Sequence, residues 1–296
     1  MKELVVISGK GGTGKTSLVA SFAALAKGCI LADCDVDAAD LHLVLKPEII
    51  DRHLFSGGNR AKIIPEKCSG CGKCLQVCRF DAIIPDNKIF KVAPISCEGC
   101  GVCNWFCPEK AIEFDPAING EWYVSNTRHG MMVHAKLGIA EENSGKLVST
   151  VRDKSRELAQ KQNCDLVLID GSPGIGCPVI ASLTGASMAL IVTEPTLSGI
   201  HDLERVAQLI KHFEIPGAVC VNKWDLNQEV TLKIEKLTSD LGFVMAGKIR
   251  YDQAITKAQI QKQAVVEYQQ TGSSADIREV WQNVSKTITA IPTGNS

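Results

Sequence analysis

The sequence predicts an α/β fold, a mostly parallel sheet flanked by helices, into which a small α+β domain is inserted. Three observations predict it. Short apolar, β-rich runs alternate with helix-length amphipathic segments along most of the chain. A glycine-rich loop follows the first of those runs. The alternation breaks between about residues 47 and 121, where glycine, proline and eight of the 13 cysteines gather.

Each element follows from its own stretch. "ELVVIS" (3–8) reads as the first strand, and the loop after it leads into a helix from Lys15 to Lys27. "CILADCD" (29–35) reads as a second buried strand. Residues 59–120 are then the insert, which leaves 1–58 and 121–296 as the main domain. "EWYVSNTRHGMMVHAKLGI" returns the chain to that domain as a strand pair. "VSTVRDKSRELAQKQ" and "LERVAQLIKHFE" are amphipathic helices between the strands "DLVLID", "MALIVT", "AVCVN" and "GFVMAGKI". The last helix, "ADIREVWQNVSKTI", carries an apolar stripe at 277, 280, 281, 284 and 288. Asp276 and Glu279 oppose anionic lipid, so this helix is expected to dock on the core rather than on a membrane.

Charge and hydropathy narrow the function. With 32 basic and 33 acidic residues the net charge is −1, which gives no basis for general nucleic-acid binding. There is no apolar run of membrane-spanning length, and the N-terminus reads as a strand rather than a secretory signal, so a cytoplasmic protein without membrane insertion is expected. In that reducing compartment, clustered cysteines point to metal or redox chemistry.

The insert contains a repeat. "CSGCGKCLQVCRFDAI" from Cys68 matches "CEGCGVCNWFCPEKAI" from Cys97. Each copy reads C-x2-C-x2-C-x3-C, a spacing suited to iron–sulfur cubes, whereas zinc sites favour ligand pairs separated by a longer loop. An insert this small needs such a core to fold. Over about 50 residues it resembles the two-cluster bacterial ferredoxins. That resemblance implies two [4Fe–4S] clusters with a crossed fourth ligand: Cys68, Cys71, Cys74 and Cys107 for one, Cys97, Cys100, Cys103 and Cys78 for the other. Arg79 stands where the ferredoxin pattern often has proline. Cys29, Cys34, Cys164, Cys177 and Cys220 lie outside the repeat and read as small buried hydrophobes, with a reservation for Cys34 and Cys177 beside the nucleotide motifs.

Gly9 to Thr16 fits G-x4-G-K-T between a strand and a helix, the P-loop of nucleoside triphosphatases. Backbone amides from Gly9, Gly11, Gly12, Thr13, Gly14 and Ser17 hold phosphates, Lys15 reaches the β and γ oxygens, and Thr16 binds Mg²⁺. The stretch "GKGGTGKTS" is similar to the deviant Walker A of the MinD/ParA/Mrp ATPases, which implies that Lys10 reaches the phosphates of a second subunit in an ATP-dependent homodimer. "LADCDVDAADLHL" resembles the family's switch I, placing Asp35 on the attacking water and Asp33 near Mg²⁺; the role of Asp40 stays open. "DLVLIDGSPG" resembles Walker B and the start of switch II, with Asp170 toward Mg²⁺ and Ser172 where prolines are usual. Asn222, Lys223 and Asp225 of "NKWD" have the form of a purine-base motif, compatible with adenine or guanine; the resemblance favours ATP. His42, His129 and His134 have no metal-like partners in sequence.

The whole pattern resembles MinD-superfamily P-loop ATPases with an inserted ferredoxin domain. It implies an ATPase with Mg²⁺ and two [4Fe–4S] clusters that delivers electrons to, or matures the metal centre of, a redox or metalloprotein partner. A non-catalytic redox sensor and an Mrp-type scaffold are the alternatives. The scaffold is weakened by the lack of a CxxC after residue 107.

Overall fold

Strands that are apolar along their whole length need cover on both faces, and the alternating helices supply it. The computed structural model describes residues 1–26, 28–138 and 144–292. The chain divides into two compact units. One is built from Met1–Arg52, Trp122–Lys136 and the residues from Ser144 onward, the other from His53–Glu121 with Leu137 and Gly138.

The first unit opens with β1 (Lys2–Ser8), α1 (Lys15–Leu25), β2 (Ile30–Asp33) and α2 (Leu41–Leu45), and β3 (Glu48–Phe55) leads into the second. The second contains β4 (Gly58–Ile63), α3 (Lys73–Val77), β5 (Ile83–Asp86), β6 (Ile89–Val92), α4 (Val102–Trp105) and β7 (Ile112–Ala117). The chain then forms β8 (Gly120–Thr127), β9 (Gly130–Leu137), α5 (Ser144–Lys161), β10 (Leu166–Pro173), α6 (Cys177–Leu183) and β11 (Met188–Thr193). It ends with α7 (Leu197–His212), β12 (Gly217–Asn222), α8 (Gln228–Asp240), β13 (Val244–Ile249), α9 (Ala254–Ile260), α10 (Val265–Tyr268) and α11 (Ser273–Ala290).

Among the described residues, nine strands form one sheet in the order β13-β12-β11-β1-β10-β2-β9-β8-β3. Every pairing from β13 to β9 is parallel. The two-residue turn between β8 and β9 makes that pair antiparallel. Central β1 sets Val5 opposite Ile169 of β10 and Ala189 of β11. The carboxyl ends of β1, β2, β10 and β11 therefore open on one edge, where ligands of such sheets bind. On one face Leu4, Val6, Leu31 and Leu168 pack with Phe22 of α1 and with Ile277, Val280, Val284 and Ile288 of α11. The stripe of the last helix is thus docked on the core, with the Trp281 ring tilted at 45° against Phe22, 4.9 Å between ring centroids. Helices α5, α6 and α7 contact β2, β10 and β11 in turn.

Three boundaries differ from expectation. The first helix ends at Leu25, and Lys27 lies outside the described residues. The Walker B strand runs past Asp170 to Pro173, because Ser172 Oγ donates to Cys34 O (2.6 Å) and holds the end of β10 to the residue after β2. Strand β3 was not expected, since seven of its eight residues are exposed and its sequence shows no alternation; its place at the sheet edge beside β8 makes it a strand.

In the second unit, β4 pairs antiparallel with β7, and β5 with β6. The repeat is visible in the fold: α3 begins at Lys73 and α4 at Val102, each two residues after the second cysteine of its copy. Ala61, Ile63, Ile83 and Ile112 form a small core together with Cys74 and Cys103. Buried Asn119 stitches the ends of this unit together. Its N–H donates to Phe55 O (2.9 Å), its Oδ1 accepts from Gly57 N (2.9 Å), and its carbonyl accepts from Gly138 N (2.7 Å).

Candidate nucleotide site and cysteine cavities

The loop between β1 and α1 is pinned from several sides. Ser8 Oγ donates to Lys10 O (2.8 Å), and Asn222 Nδ2 donates to Thr13 O (2.8 Å). Gly14, at the N-cap of α1, has φ +87°, and a Cβ there would lie 2.4 Å from Asn222 Nδ2. Only glycine fits this close approach. The unsatisfied amides of the first turn of α1 then face the cleft, an arrangement suited to phosphate.

Lys15 lies buried between two carboxylates, with Nζ 2.5 Å from Asp170 Oδ1 and 3.4 Å from Asp35 Oδ2. Burial alone would lower its pKa, but Asp170 and Asp35 outweigh it and hold the ammonium charged. Asp33 and Asp170 are register partners across β2 and β10. Burial, reinforced by Asp170, pushes the Asp33 carboxyl up. Burial also raises Asp35, with Lys15 opposing. Asp33 Oδ2, Asp170 Oδ2 and Thr13 Oγ1 are buried without a hydrogen-bond partner. Two such orphaned carboxylate oxygens on register partners of adjacent strands are what a hard divalent cation would satisfy, so the residues fit Mg²⁺.

Thr13, Lys15 and Asp35 open onto a cleft of about 720 Å³, also lined by Gly11, Gly12, Thr16, Ser17, Asp40, Asn222 and Lys223, with Asp33 and Asp170 outside its lining. Five expected residues lie outside that lining: Gly9, Lys10, Asp33, Asp170 and Asp225. Lys10 does not line the cleft; its Nζ donates to Ser198 Oγ (3.1 Å) and lies 3.9 Å from Glu194 Oε2. Asp225 also lies outside the lining, its Oδ1 taken by Tyr251 N (2.7 Å). Gly9 sits against Asp202 of α7. The opposite wall was not foreseen. Tyr251, Asp252, Ile255, Thr256, Gln259 and Ile260 come from α9 and the segment before it, and Gln259 Nε2 reaches Ser17 Oγ at 2.8 Å. A seven-residue helix gives too short a period to be singled out.

The second unit holds two cavities of similar size. One is lined by Cys68, Cys71, Cys74 and Cys107; the other by Cys78, Cys97, Cys100 and Cys103. Burial pushes the Cys74 thiol up and the Cys103 thiol up to about 11. A thiolate there needs a neighbouring positive centre. Ala111 N donates to Cys107 Sγ at 3.3 Å. Gly99 has φ +61°, and a Cβ would meet Asn59 O at 2.1 Å, so the loop between Cys97 and Cys100 takes its shape only with glycine. Among the described residues no three His, Cys, Asp or Glu are grouped to hold a single metal ion. Outside the cavities, Cys29, Cys34 and Cys220 are buried as expected, whereas Cys164 is half-buried and Cys177 exposed. His134 is bonded to Ser125 Oγ (2.8 Å) and His129 to Glu267 (3.0 Å).

A glycine-rich loop closing on a helix N-terminus, with a buried lysine between strand-end carboxylates, defines a P-loop nucleotide-binding protein. The family described as the CobQ/CobB/MinD/ParA nucleotide binding domain matches residues 4–265, and the chain belongs to that family. It is 35% identical over 234 residues to an uncharacterised protein of Methanocaldococcus jannaschii, covering 76% of this chain and 79% of that one. It is 22% identical over 264 residues to the septum site-determining protein MinD of Bacillus subtilis, covering 86% and 78%. The MinD structure from Pyrococcus horikoshii, complexed with Mg-ADP, superposes with a TM-score of 0.60 at 16% identity, covering 99% of each chain, a likeness of fold alone. Among the described residues no helix is long and apolar enough to cross a membrane.

Proposed function

We propose that the chain is an Mg²⁺-dependent ATPase whose nucleotide cycle is coupled to two [4Fe–4S] clusters in its inserted unit. It serves to pass electrons to, or to mature a metal centre in, a redox or metalloprotein partner. The observation that carries this reading is the pair of near-equal cavities, each ringed by four thiols drawn from both copies of the repeat, in a chain with a P-loop. Cys68, Cys71, Cys74 and Cys107 hold one cluster; Cys97, Cys100, Cys103 and Cys78 hold the other. Such clusters supply one-electron transfer.

At the cleft, the P-loop amides from Gly9 to Ser17 cradle the phosphates. Thr16, Asp33 and Asp170 hold Mg²⁺, which offsets charge on the β and γ oxygens. Lys15 leaves Asp170 for the phosphates, an exchange of one anionic partner for another. Asp35 orients the water that attacks the γ-phosphorus, releasing ADP and phosphate. Asn222 and Lys223 line the cleft, Asn222 Nδ2 donating to Thr13 O and Lys223 Nζ to Glu194 Oε1 (2.6 Å). Asp225 lies outside the cleft lining, its Oδ1 accepting from Tyr251 N, so the choice of ATP rests on the family rather than on this motif. Lys10 acts on a second copy of the chain.

Two measurements test the proposal. Anaerobically purified protein should contain about eight irons per chain; two zinc ions and no visible chromophore would reject the clusters. Asp35→Ala should abolish phosphate release while Mg-ATP binding persists; unchanged turnover would move the water-positioning role elsewhere.

A further inference from the structure

Strands β8 and β9 carry the chain out of the inserted unit at Glu121–Trp122 and back into it at Lys136–Leu137. The turn between them, Arg128–His129, belongs to the nucleotide-binding unit, and Arg128 is bonded on two sides there. Its Nη1 donates to Leu45 O (3.0 Å) and Val44 O (3.2 Å), the terminal carbonyls of α2. Its Nε and Nη2 form a two-pronged pair with Glu267 Oε1 (2.8 Å) and Oε2 (2.7 Å) of α10, and Nη2 also donates to Lys262 O (3.2 Å).

One side lines the cleft and the other lies next to a helix that lines it. The Val44 residue that bonds Arg128 also lines the cleft, beside Asp40 and Leu43. Lys262 follows α9, whose residues line the cleft, and Glu267 lies in α10 just beyond. Helix α2 is only five residues long, so its last carbonyls depend on such an outside donor. Glu267 is itself fixed by Ala264 N (2.7 Å) and His129 Nε2 (3.0 Å). The turn is stiffened by Thr127 Oγ1 donating to Gly130 O (2.7 Å) and accepting from His129 N (3.1 Å). A shift of Val44 when the cleft fills is therefore one hydrogen bond away from a rigid hairpin tip.

We propose that Arg128 is a positioning residue that couples nucleotide occupancy at α2 to the β8–β9 hairpin, whose strands lead to the inserted unit. The proposal rests on the reading that the cleft binds Mg-ATP. A mere cap on α2 would cost stability when removed but would give the hairpin no response to nucleotide.

The test is hydrogen–deuterium exchange on the anaerobically purified, cluster-containing chain, with and without Mg-AMPPNP, with binding followed in parallel by calorimetry. In the wild type, nucleotide should slow exchange about fivefold or more both in 41–46 and in 122–136. In Arg128→Gln, calorimetric affinity should stay within about threefold and 41–46 should still respond, while the response of 122–136 is lost. Glu267→Gln, which leaves the arginine in place but removes its anionic anchor, should weaken the hairpin response in the same direction and serves if Arg128→Gln folds poorly. A hairpin that ignores bound nucleotide in the wild type, or still responds in both variants, overturns the coupling. Absence of calorimetric binding in the wild type would instead sink the ATP reading, and the coupling with it.

Discussion

At the scale of the residue, Lys15, Asp35 and Asp170 meet because three strand ends of one parallel sheet meet. The G-x4-G-K-T spacing and the aspartates at the ends of "LADCD" and "DLVLID" made this legible, since each motif names a strand end and parallel order brings strand ends together. Asp225 was not legible in the same way. Whether its carboxylate faces a base or a backbone amide depends on the course of the chain at Tyr251, which no local pattern reports. Gly14 gives a prediction at this scale. Gly14→Ala would set a methyl against Asn222 at a left-handed φ, storing about 1–3 kcal/mol of strain in the loop. Nucleotide affinity should then fall about 5- to 150-fold by calorimetry, and an unchanged affinity would mean that the loop relaxes at no cost.

At the scale of the element, strong periodicity was readable and weak periodicity was not. The stripe on α11 announced its docked face, and the buried strands announced themselves by unbroken apolar runs. Strand β3 and helices α9 and α10 did not, because exposure or shortness removes the pattern that burial writes into a sequence. Truncating the stripe tests the docking: Ile277→Ala should cost about 2–5 kcal/mol in a denaturant titration, and a loss below a few tenths would show α11 to be peripheral. Glu267 ties α10 to the hairpin turn, and its charge is measurable. Burial works against its ionisation, but the hydrogen bonds from Arg128 and Ala264 and the Arg128 charge outweigh it and hold the carboxyl at about 2, against an ordinary 4.5. A folded-state value below the unfolded one means that the stabilisation is complete above pH 4.5 and is lost as the pH falls toward about 2. The stability gap between wild type and Glu267→Gln should therefore narrow across that window, and a gap that stays constant with pH would show that the pair contributes nothing through charge.

At the scale of the whole molecule, a change of texture and the internal repeat point to an insert over 59–120, whereas the compact second unit begins at His53, inside strand β3, whose exposed residues carry no pattern. The remaining question is how many chains make the working unit, and Lys10 decides it. In the single chain its ammonium rests near Ser198 and Glu194, partly exposed, with the carboxylate 3.9 Å away. Glu194 is bound more closely by Lys223 Nζ (2.6 Å), so it holds Lys10 weakly and leaves it free to exchange partners. A second chain presenting ATP offers a stronger one, and ATP carries one more charged phosphate than ADP. By linkage, whatever binds the paired form better shifts the chain toward pairing, so ATP should favour the dimer more than ADP does. We expect Lys10→Ala to keep ATP binding but lose ATP-dependent dimerisation in light scattering, together with any nucleotide effect on cluster reduction in a redox titration. A Lys10→Ala protein that still pairs with ATP would leave Lys10 as a local charge beside the P-loop, and dimerisation would have to be carried by another surface.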